Sequence, residues 1–166
     1  MPAKRNSPAP KSAANGIVIT RILAAPRPLV FAAWTKPAHL KQWSAPHGFT
    51  IPVSGGQLRA GGAWRACMVS PQGEKMWLNG VYREVVANRR LVFTHTWEGG
   101  DEETVVTVDF ADHARGTKRT FRQSGFASAG SRTGHKGGWT QCFERLSARL
   151  AALQAKKGRA RLSARA

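Results

Sequence analysis

The segment that most constrains the fold is residues 134–153, GHKGGWTQCFERLSARLAAL, near the C-terminus. At about 100° per residue its apolar side chains fall on one narrow stripe, which predicts an amphipathic helix with a single buried face. The stripe consists of His135, Trp139, Cys142, Phe143, Leu146, Leu150 and Leu153. A helix of this kind needs a large apolar surface to cover its stripe, and the rest of the chain must supply it.

The start of this helix is unusually rich in glycine. Gly134, Gly137 and Gly138 each cost about 1 kcal/mol relative to alanine in a helix interior, so their clustering calls for a compensating reason. Either the backbone is closely approached there or the helix opens onto a cavity, and we expect Gly138, at the edge of the stripe, to face that space. The alternative is that the helix starts later and the glycines belong to the preceding loop.

The only large partner available to the helix is a sheet. From residue 49 to 126 the chain alternates short β runs with turn residues, which predicts a meander of antiparallel strands. An earlier strand at Ile17–Leu23 is followed by two short helical pieces, around Leu29–Trp34 and at Pro37–Trp43. The order therefore predicts an α+β fold in which a curved antiparallel sheet of about six or seven strands wraps around the long C-terminal helix.

The charge divides the chain into a domain and two basic ends. The net charge is +17, but the first 15 residues hold three of the cations and residues 154–166 hold five, while all nine acidic residues lie between. We expect a disordered basic leader at 1–15, one folded domain at 16–154 and a basic C-terminal tail at 155–166. Solvated basic ends adhere to polyanions without reading sequence, so we expect no specific nucleic-acid partner.

Cysteine usage and hydropathy favour the cytoplasm. Cys67 and Cys142 form no paired spacing, so a disulfide framework is not indicated. The N-terminus lacks the apolar core of a signal peptide, and no apolar run nears the length that crosses a bilayer, so we expect no membrane association. The five histidines lack metal-ligand spacing, and no glycine-rich phosphate loop is present, which predicts neither metal nor cofactor.

Five pieces of the chain carry a family resemblance. They are APRPLVFAAWTKPAHLKQW at 25–43, LRAGGAWR at 58–65, GVYREVVANRRLVFTHTWE at 80–98, TVVTVDF at 104–110 and GFASAGSRTGHKGGW at 125–139. In this order they resemble the family related to the C-terminal domain of the activator of the heat-shock protein 90 ATPase, within the START-like, Bet v 1-like superfamily (SRPBCC). The resemblance implies a helix-grip fold, in which the C-terminal helix packs across a strongly curved sheet and a cavity can lie between them.

Strand parity selects the residues that would line such a cavity. Leu91, Phe93, His95 and Trp97 share one strand face, and Trp64 and Met68 share another. Together with aromatic residues elsewhere they predict an apolar wall suited to a hydrophobic or aromatic molecule, although large aromatics also fill ordinary cores. The predicted ligand-binding residues are Trp34, Trp43, Trp64, Met68, Tyr82, Phe93, His95, Trp97, Phe110, Arg119, Phe121, His135, Trp139 and Phe143.

Four of these residues could contribute polar chemistry. His95 and His135 sit on apolar faces, where a neutral imidazole orients a carbonyl or phenol, acts as an acid or base, or serves as a satisfied core residue. Tyr82 could supply a phenolic hydroxyl, but its strand is apolar on both faces and its register is open. Arg119 shares the parity of Phe121; it either points inward and binds an anionic ligand group, or extends to water from a strand end.

Catalytic pairs are not evident in the sequence. The acidic cluster 101–103 lies in a turn, Asp109 and Glu144 point away from the apolar faces, and no GxSxG elbow occurs. We therefore expect binding of a small apolar or aromatic molecule, without catalysis, in a protein that is a monomer or a homodimer. The family name suggests one alternative, a stress-related cochaperone with a chaperone partner. A polyketide cyclase-like enzyme that uses His95, His135 or Tyr82 is the second.

Overall fold

The computed structural model describes residues 15–165. Except for Asn15, the predicted leader at 1–15 lies outside these residues. The described part contains seven strands and three helices, which are β1 Ile17–Leu23, α1 Arg27–Thr35, α2 Pro37–Trp43, β2 Thr50–Gly56, β3 Ala63–Val69, β4 Lys75–Val86, β5 Arg90–Trp97, β6 Glu103–His113, β7 Gly116–Ser124 and α3 Ala129–Ser163. The predicted α+β fold, with two short helices after the first strand and one long helix at the end, is confirmed.

All seven strands form one antiparallel sheet in the order β1-β7-β6-β5-β4-β3-β2. Each strand from β2 to β7 pairs with its neighbour in sequence, while β1 crosses to the far edge beside β7. Register shifts interrupt the pairing of β2 between Thr50 and Val53 and of β4 between Tyr82 and Glu84. Such bulges bend a sheet and increase its twist, so the sheet curves around α3.

Helix α3 is longer than the stripe predicts at both ends. It begins at Ala129 because the Ser128 hydroxyl caps it, accepting a hydrogen bond of 3.0 Å from the Ser131 amide. The glycine-rich segment 134–138 therefore lies within the helix and not in a preceding loop. The helix continues to Ser163 through most of the predicted tail, and from Ala155 onward its residues are exposed.

Two clusters of buried side chains fill the space between the sheet and the helices. The larger one joins α1, α2 and the middle of α3 to strands β1, β4, β5, β6 and β7, and includes Phe121, Phe143 and Leu146. The smaller one lies under β2, β3 and β4 and consists of Ala45, Ile51, Ala66, Met68 and Leu78. Trp64 packs against both clusters. The space between them is not filled by side chains.

Candidate functional site

A cavity of about 470 Å³ lies between the two clusters, under the first half of α3 and the segment from α2 to β2. Its volume falls in the range of pockets that hold small molecules. None of the residues on its wall is Lys, Arg, Asp or Glu. The wall is formed by Trp34, Leu40, Trp43, Ser44, Pro46, Phe49, Ile51, Ser54, Trp64, Ala66, Met68, Met76, Leu78, Tyr82, Phe93, His95, Trp97, Ser131, Gly134, His135, Gly138, Trp139 and Cys142.

Strands β3, β4 and β5 supply a continuous aromatic side of this wall. The Tyr82 and Phe93 rings lie 5.9 Å apart edge to face, and Phe93 meets Trp64 at 5.8 Å in the same way. The Trp64 ring is in turn 5.9 Å from that of His95. Tyr82 and Phe93 are direct cross-strand partners, which fixes the register of β4 that the sequence leaves open.

Gly80 holds Trp64 in this position. A Cβ at residue 80 would overlap the Thr94 carbonyl oxygen and the indole nitrogen of Trp64. Without it, the Trp64 indole crosses β4 and its Nε1 donates a hydrogen bond of 3.2 Å to the Thr94 carbonyl. The glycine is therefore needed for close approach across the strand, and it places an apolar ring face against the cavity.

His135 is held by two hydrogen bonds at the end of the cavity near the start of α3. Its Nδ1 donates to the Ser131 carbonyl at 2.8 Å, and its Nε2 accepts from the Trp97 indole at 3.1 Å. These contacts correspond to the neutral tautomer with the proton on Nδ1. The Ser131 hydroxyl donates to Glu102 at 2.6 Å, which ties this part of α3 to the β5–β6 loop. Both nitrogens of His135 are therefore occupied by the protein.

His95 differs from His135 in that no other described residue hydrogen-bonds to its ring. Its side chain is on the cavity wall and only 5% of the residue is exposed. Burial lowers the pKa of His95 to about 4, so its imidazole is neutral at neutral pH. The Tyr82 hydroxyl also lacks a partner among the described residues, and burial raises its pKa. Both groups are uncharged donors and acceptors.

Three tryptophans close the deep end of the cavity. The Trp139 indole donates to the Gln123 carbonyl oxygen at 2.7 Å, and the Gln123 amide donates to Thr104 at 2.9 Å. The Trp34 ring stacks 6.2 Å from that of Trp139, and its indole nitrogen is buried without a partner among residues 15–165. Trp43 completes this end, 4.7 Å from Trp34.

The structure brings ten of the fourteen predicted ligand-binding residues onto the wall and places four elsewhere. Those on the wall are Trp34, Trp43, Trp64, Met68, Tyr82, Phe93, His95, Trp97, His135 and Trp139. Those in the packed core behind it are Phe110, Arg119, Phe121 and Phe143. A role in ligand binding remains a prediction for all fourteen residues.

Arg119 lies inward, the orientation that its parity with Phe121 predicts, but it does not reach the cavity. The residue is 0% exposed, and its guanidinium carbon sits 3.6 Å from the centre of the Phe143 ring. Nη2 has one long contact of 3.5 Å to the Ile19 carbonyl, while Nε and Nη1 have no partner among the described residues. Burial, and then repulsion from Arg21, lowers the pKa of Arg119 to about 9, which leaves it charged at neutral pH.

Two glycines of α3 lie at the rim of the cavity. Gly134 and Gly138 lie on its wall, and a Cβ on Gly138 would only touch Pro46 at 3.8 Å. The expectation that Gly138 faces space is confirmed. Gly137 is on the outer side of the helix, where an added Cβ would meet nothing within 4 Å. Side chains are thus missing where α3 passes over the cavity.

Sequence reasoning missed the segment 44–49 that faces this rim. Arg145 holds the segment against α3 through carbonyl contacts, the shortest being 2.7 Å to Ala45. The Gln141 side chain also accepts from the His47 amide at 3.1 Å. Pro46 and Phe49 on this segment line the cavity. The available sequence signal was a Pro-containing loop with an apolar residue on either side. This signal does not specify the helix on which the loop packs.

The described residues also bear on metal binding and on membrane association. Between residues 15 and 165, no group of three or more His, Cys, Asp or Glu side chains is arranged to hold a metal ion. In the same range no helix is both long and apolar enough to cross a membrane.

Comparison with solved structures agrees with this architecture. A protein from Chromobacterium violaceum is 27% identical, with a TM-score of 0.78 over 82% of this chain and 97% of that one. A protein from Nitrosomonas europaea is 26% identical, with a TM-score of 0.75 over 86% and 98% of the two chains. An AHSA1 protein from Silicibacter pomeroyi, at 23% identity and a TM-score of 0.75 over 82% and 98%, shares the fold.

Comparison with family models gives the assignment. No functionally curated protein matches the chain. Residues 24–151 match the family described as activator of Hsp90 ATPase homolog 1-like protein. This range runs from the end of β1 to the middle of α3 and includes every residue of the cavity wall. The chain belongs to the family of activator of Hsp90 ATPase homolog 1-like proteins.

Proposed function

We propose that this protein binds a small hydrophobic or aromatic molecule in the cavity between the sheet and α3. The observation that carries the proposal is the composition of the wall. A volume of about 470 Å³ is surrounded by aromatic and aliphatic side chains and by no Lys, Arg, Asp or Glu. Apolar surface of this kind gains free energy when a ligand displaces water from it, at roughly 25 cal/mol per Å².

The helix that covers the cavity supports the proposal. Glycines at 134 and 138 weaken α3 by about 1 kcal/mol each relative to alanine, yet both lie on the wall. A larger residue at these positions would stabilise the helix and reduce the space below it. Glycine is therefore disadvantageous for stability and useful for admitting a ligand, which is the pattern expected of a binding site.

A matched pair of variants tests this. N-phenyl-1-naphthylamine is a neutral aromatic probe whose fluorescence rises in apolar surroundings, and we expect it to bind the wild type and to raise its melting temperature. In Gly138→Leu the new side chain enters the cavity, so binding should be about tenfold weaker or lost. In Gly137→Leu it points outward, and binding should be unchanged. Each substitution removes a glycine from the helix and should add about 0.8 kcal/mol to its stability.

Two results of these binding measurements would contradict the proposal. Equal binding to both variants would place the probe outside the cavity. No fluorescence or melting response from the wild type to a broad set of neutral lipids and aromatics would refute ligand binding itself. The melting temperatures of the two variants show independently that both are folded.

Two other activities are separated by simple assays. A cochaperone-like role, which the family description suggests, predicts that the protein stimulates the ATPase of heat-shock protein 90, whereas a ligand carrier leaves it unchanged. A polyketide cyclase-like enzyme would take acid–base groups from Tyr82, His95 and His135, and would convert a linear polyketide into a cyclic product with a changed absorption spectrum, the mass falling only where water is eliminated. We favour binding without chemistry because both nitrogens of His135 are already hydrogen-bonded.

We also propose the cytoplasm as the compartment. Cys67 and Cys142 are both free and buried, and Cys142 lies on the cavity wall. Burial raises the pKa of the Cys142 thiol to about 12, which keeps it protonated and unreactive. Free thiols of this kind suit a reducing environment.

A further inference from the structure

We infer that the ligand is uncharged and carries a hydroxyl or carbonyl group that hydrogen-bonds to the ring of His95. The inference rests on the proposed function, because it describes what the same cavity selects. It goes beyond that function by naming the chemical class of the ligand and the one side chain that orients it. Three properties of the wall lead to it.

The first property is the absence of charge. No Lys, Arg, Asp or Glu side chain lies on the wall, so an ionised ligand group would lose its hydration without gaining a counter-ion. Arg145 at the rim is not part of the wall, and its Nη1 donates to the Ala45, Pro46 and Phe49 carbonyls. Arg119 is fully buried and stacks on Phe143, which does not line the cavity. The Trp34 and Trp139 rings, which do line it, pack against Phe143 on the cavity side. A carboxylate in the cavity is thus cut off from this guanidinium.

The second property is that most polar groups of the wall already have partners. The indoles of Trp64, Trp97 and Trp139 donate to Thr94, His135 and Gln123. Other hydroxyls and rings are committed in the same way, since Ser44 donates to Leu40, Ser131 to Glu102, and His135 to Ser131. These groups shape the cavity without offering a free donor to a ligand.

The third property is that His95 is uncommitted. Its ring lies on the wall, has no hydrogen bond to another described residue, and is surrounded by the rings of Trp64, Trp97, His135 and Trp139 at 5.7–6.2 Å. The His95 ring borders the cavity, and a neutral imidazole offers a ligand there one donor and one acceptor. A ligand hydroxyl can satisfy either nitrogen and a carbonyl can accept from one, while the surrounding rings suit an apolar body. The lowered pKa of His95 is in keeping with a neutral partner.

Tyr82 is the competing anchor that the variants test; the Ser54 hydroxyl and the Trp34 indole nitrogen on the wall also lack partners among the described residues, and the Trp34 nitrogen is fully buried. Its hydroxyl lacks a partner among the described residues and its ring lies on the same wall, beyond Phe93. The two sites differ in their surroundings, because His95 is enclosed by four rings whereas Tyr82 is paired with Phe93 alone among the aromatic contacts of the described residues. We therefore assign the ligand's polar group to His95.

Three probes of matched shape test the assignment by isothermal titration calorimetry at neutral pH. They are 2-naphthol, 2-methylnaphthalene and naphthalene-2-carboxylate, which carry a hydroxyl, a methyl and an anion at the same position. We expect 2-naphthol to bind about three- to tenfold more tightly than 2-methylnaphthalene, the gain of one hydrogen bond in a buried site. The carboxylate should bind more weakly than either.

Variants then identify the residue. His95→Phe should abolish the preference for 2-naphthol while keeping affinity for 2-methylnaphthalene, whereas His95→Gln, which retains a donor and an acceptor, should keep much of the preference. Tyr82→Phe should leave it unchanged. Retained binding of 2-methylnaphthalene shows that each variant is folded around an intact cavity.

Four results would overturn the inference. The assignment fails, and the proposed function survives, if N-phenyl-1-naphthylamine binds but 2-naphthol shows no advantage over 2-methylnaphthalene. It also fails if the preference is lost in Tyr82→Phe and kept in His95→Phe. If naphthalene-2-carboxylate binds most tightly of the three probes, the ligand is not uncharged. Loss of that tight binding in Arg119→Met would then show that the wall opens to Arg119. If no neutral probe binds, the proposed function and the inference fail together.

Discussion

The part of helix α3 that covers the sheet, from Ser131 to Leu150, has a cavity half and a closed half. From Ser131 to Cys142 the helix passes over the cavity, and this half carries the three clustered glycines. From Phe143 to Leu150 it packs on the closed core, where the inward side chains are almost fully buried against β5, β6 and β7. One helix of continuous geometry thus forms both a wall and a core. The difference between them lies in side-chain volume at a few positions.

The sheet also buries one basic residue beneath each half of the helix, without a carboxylate partner among the described residues. The two residues differ in whether they are charged at neutral pH. His95, at the cavity, has its pKa lowered to about 4 and is neutral at neutral pH. Arg119, in the closed core, remains charged with its pKa lowered to about 9, and its guanidinium rests on the Phe143 ring. The basic group at the cavity is therefore uncharged, whereas the basic group in the closed core keeps its charge with few polar contacts to stabilise it.

The largest expected contrast comes from truncating one leucine in each half. Leu146 is 0% exposed in the closed core, and Leu146→Ala should reduce the free energy of unfolding by about 4 kcal/mol, because it loses contacts on every side. Leu78 is 8% exposed on the cavity wall, where one side already lacks partners. Leu78→Ala should cost only about 2 kcal/mol. Chemical denaturation of both variants measures the difference.

Equal losses in the free energy of unfolding of Leu146→Ala and Leu78→Ala would contradict this comparison. Such a result would mean that the cavity half is packed as densely as the closed half, and that the cavity collapses in solution. A bound neutral ligand should narrow the gap between the two measurements, since it restores partners to Leu78 and leaves Leu146 unaffected. This second measurement keeps the test independent of the absolute values.

The general architecture could be predicted from the sequence because it depends on local pattern. The stripe of α3 and the alternation in β5 specify which side chains face inward without reference to other elements. The inward position of Arg119 follows from the parity of Phe121 for the same reason. The start of α3 was placed five residues late, because Ser128 is recognised as a cap only when its hydroxyl is seen to meet the Ser131 amide.

The boundary between wall and core could not be predicted in the same way. Phe121 and Trp139 are both inward aromatics, and their rings are 4.7 Å apart, yet only Trp139 borders the cavity. Which of them does so depends on how Trp34 from α1 and the segment 44–49 fill the neighbouring space. These contacts join residues far apart in sequence, and no spacing in the chain encodes them.

The next largest effect is a pH dependence of the free energy of unfolding that arises from His95 at the cavity. The folded pKa of His95, about 4, is below its ordinary value of 6.5, so the unfolded chain binds more protons between these values. The free energy of unfolding should therefore fall as the pH is lowered from 6.5 to 4, by about 3 kcal/mol for this group. His95→Phe should lack that loss. Urea denaturation of both proteins across this range isolates the contribution of His95.

Carboxylates add to the acid sensitivity of both proteins; the contribution of Glu98 cancels in the comparison, whereas that of Glu102 includes its interaction with His95. Hydrogen bonds from Arg65 to Glu98 and from Ser131 to Glu102 lower the pKa of each carboxyl, so these groups also lose stabilising contacts on acidification. Only the difference between wild type and His95→Phe reports on the imidazole. Parallel pH curves for the two proteins would show that His95 is hydrated in the folded state, which would contradict its burial in the cavity wall.

The smallest effect is expected in the closed half and has the opposite sign. Arg119→Met keeps the length of the side chain and its contact with Phe143 but removes a buried charge that has no carboxylate partner among the described residues. Replacing poorly compensated buried charge with an apolar side chain is neutral or stabilising, so we expect the free energy of unfolding to rise by about 1 kcal/mol. Arg119→Lys should not reproduce the gain, because it retains the charge and loses the planar stacking on the ring. A marked loss of stability in Arg119→Met would mean that an anion or ordered water holds the guanidinium in solution, and the closed half would then contain a polar site of its own.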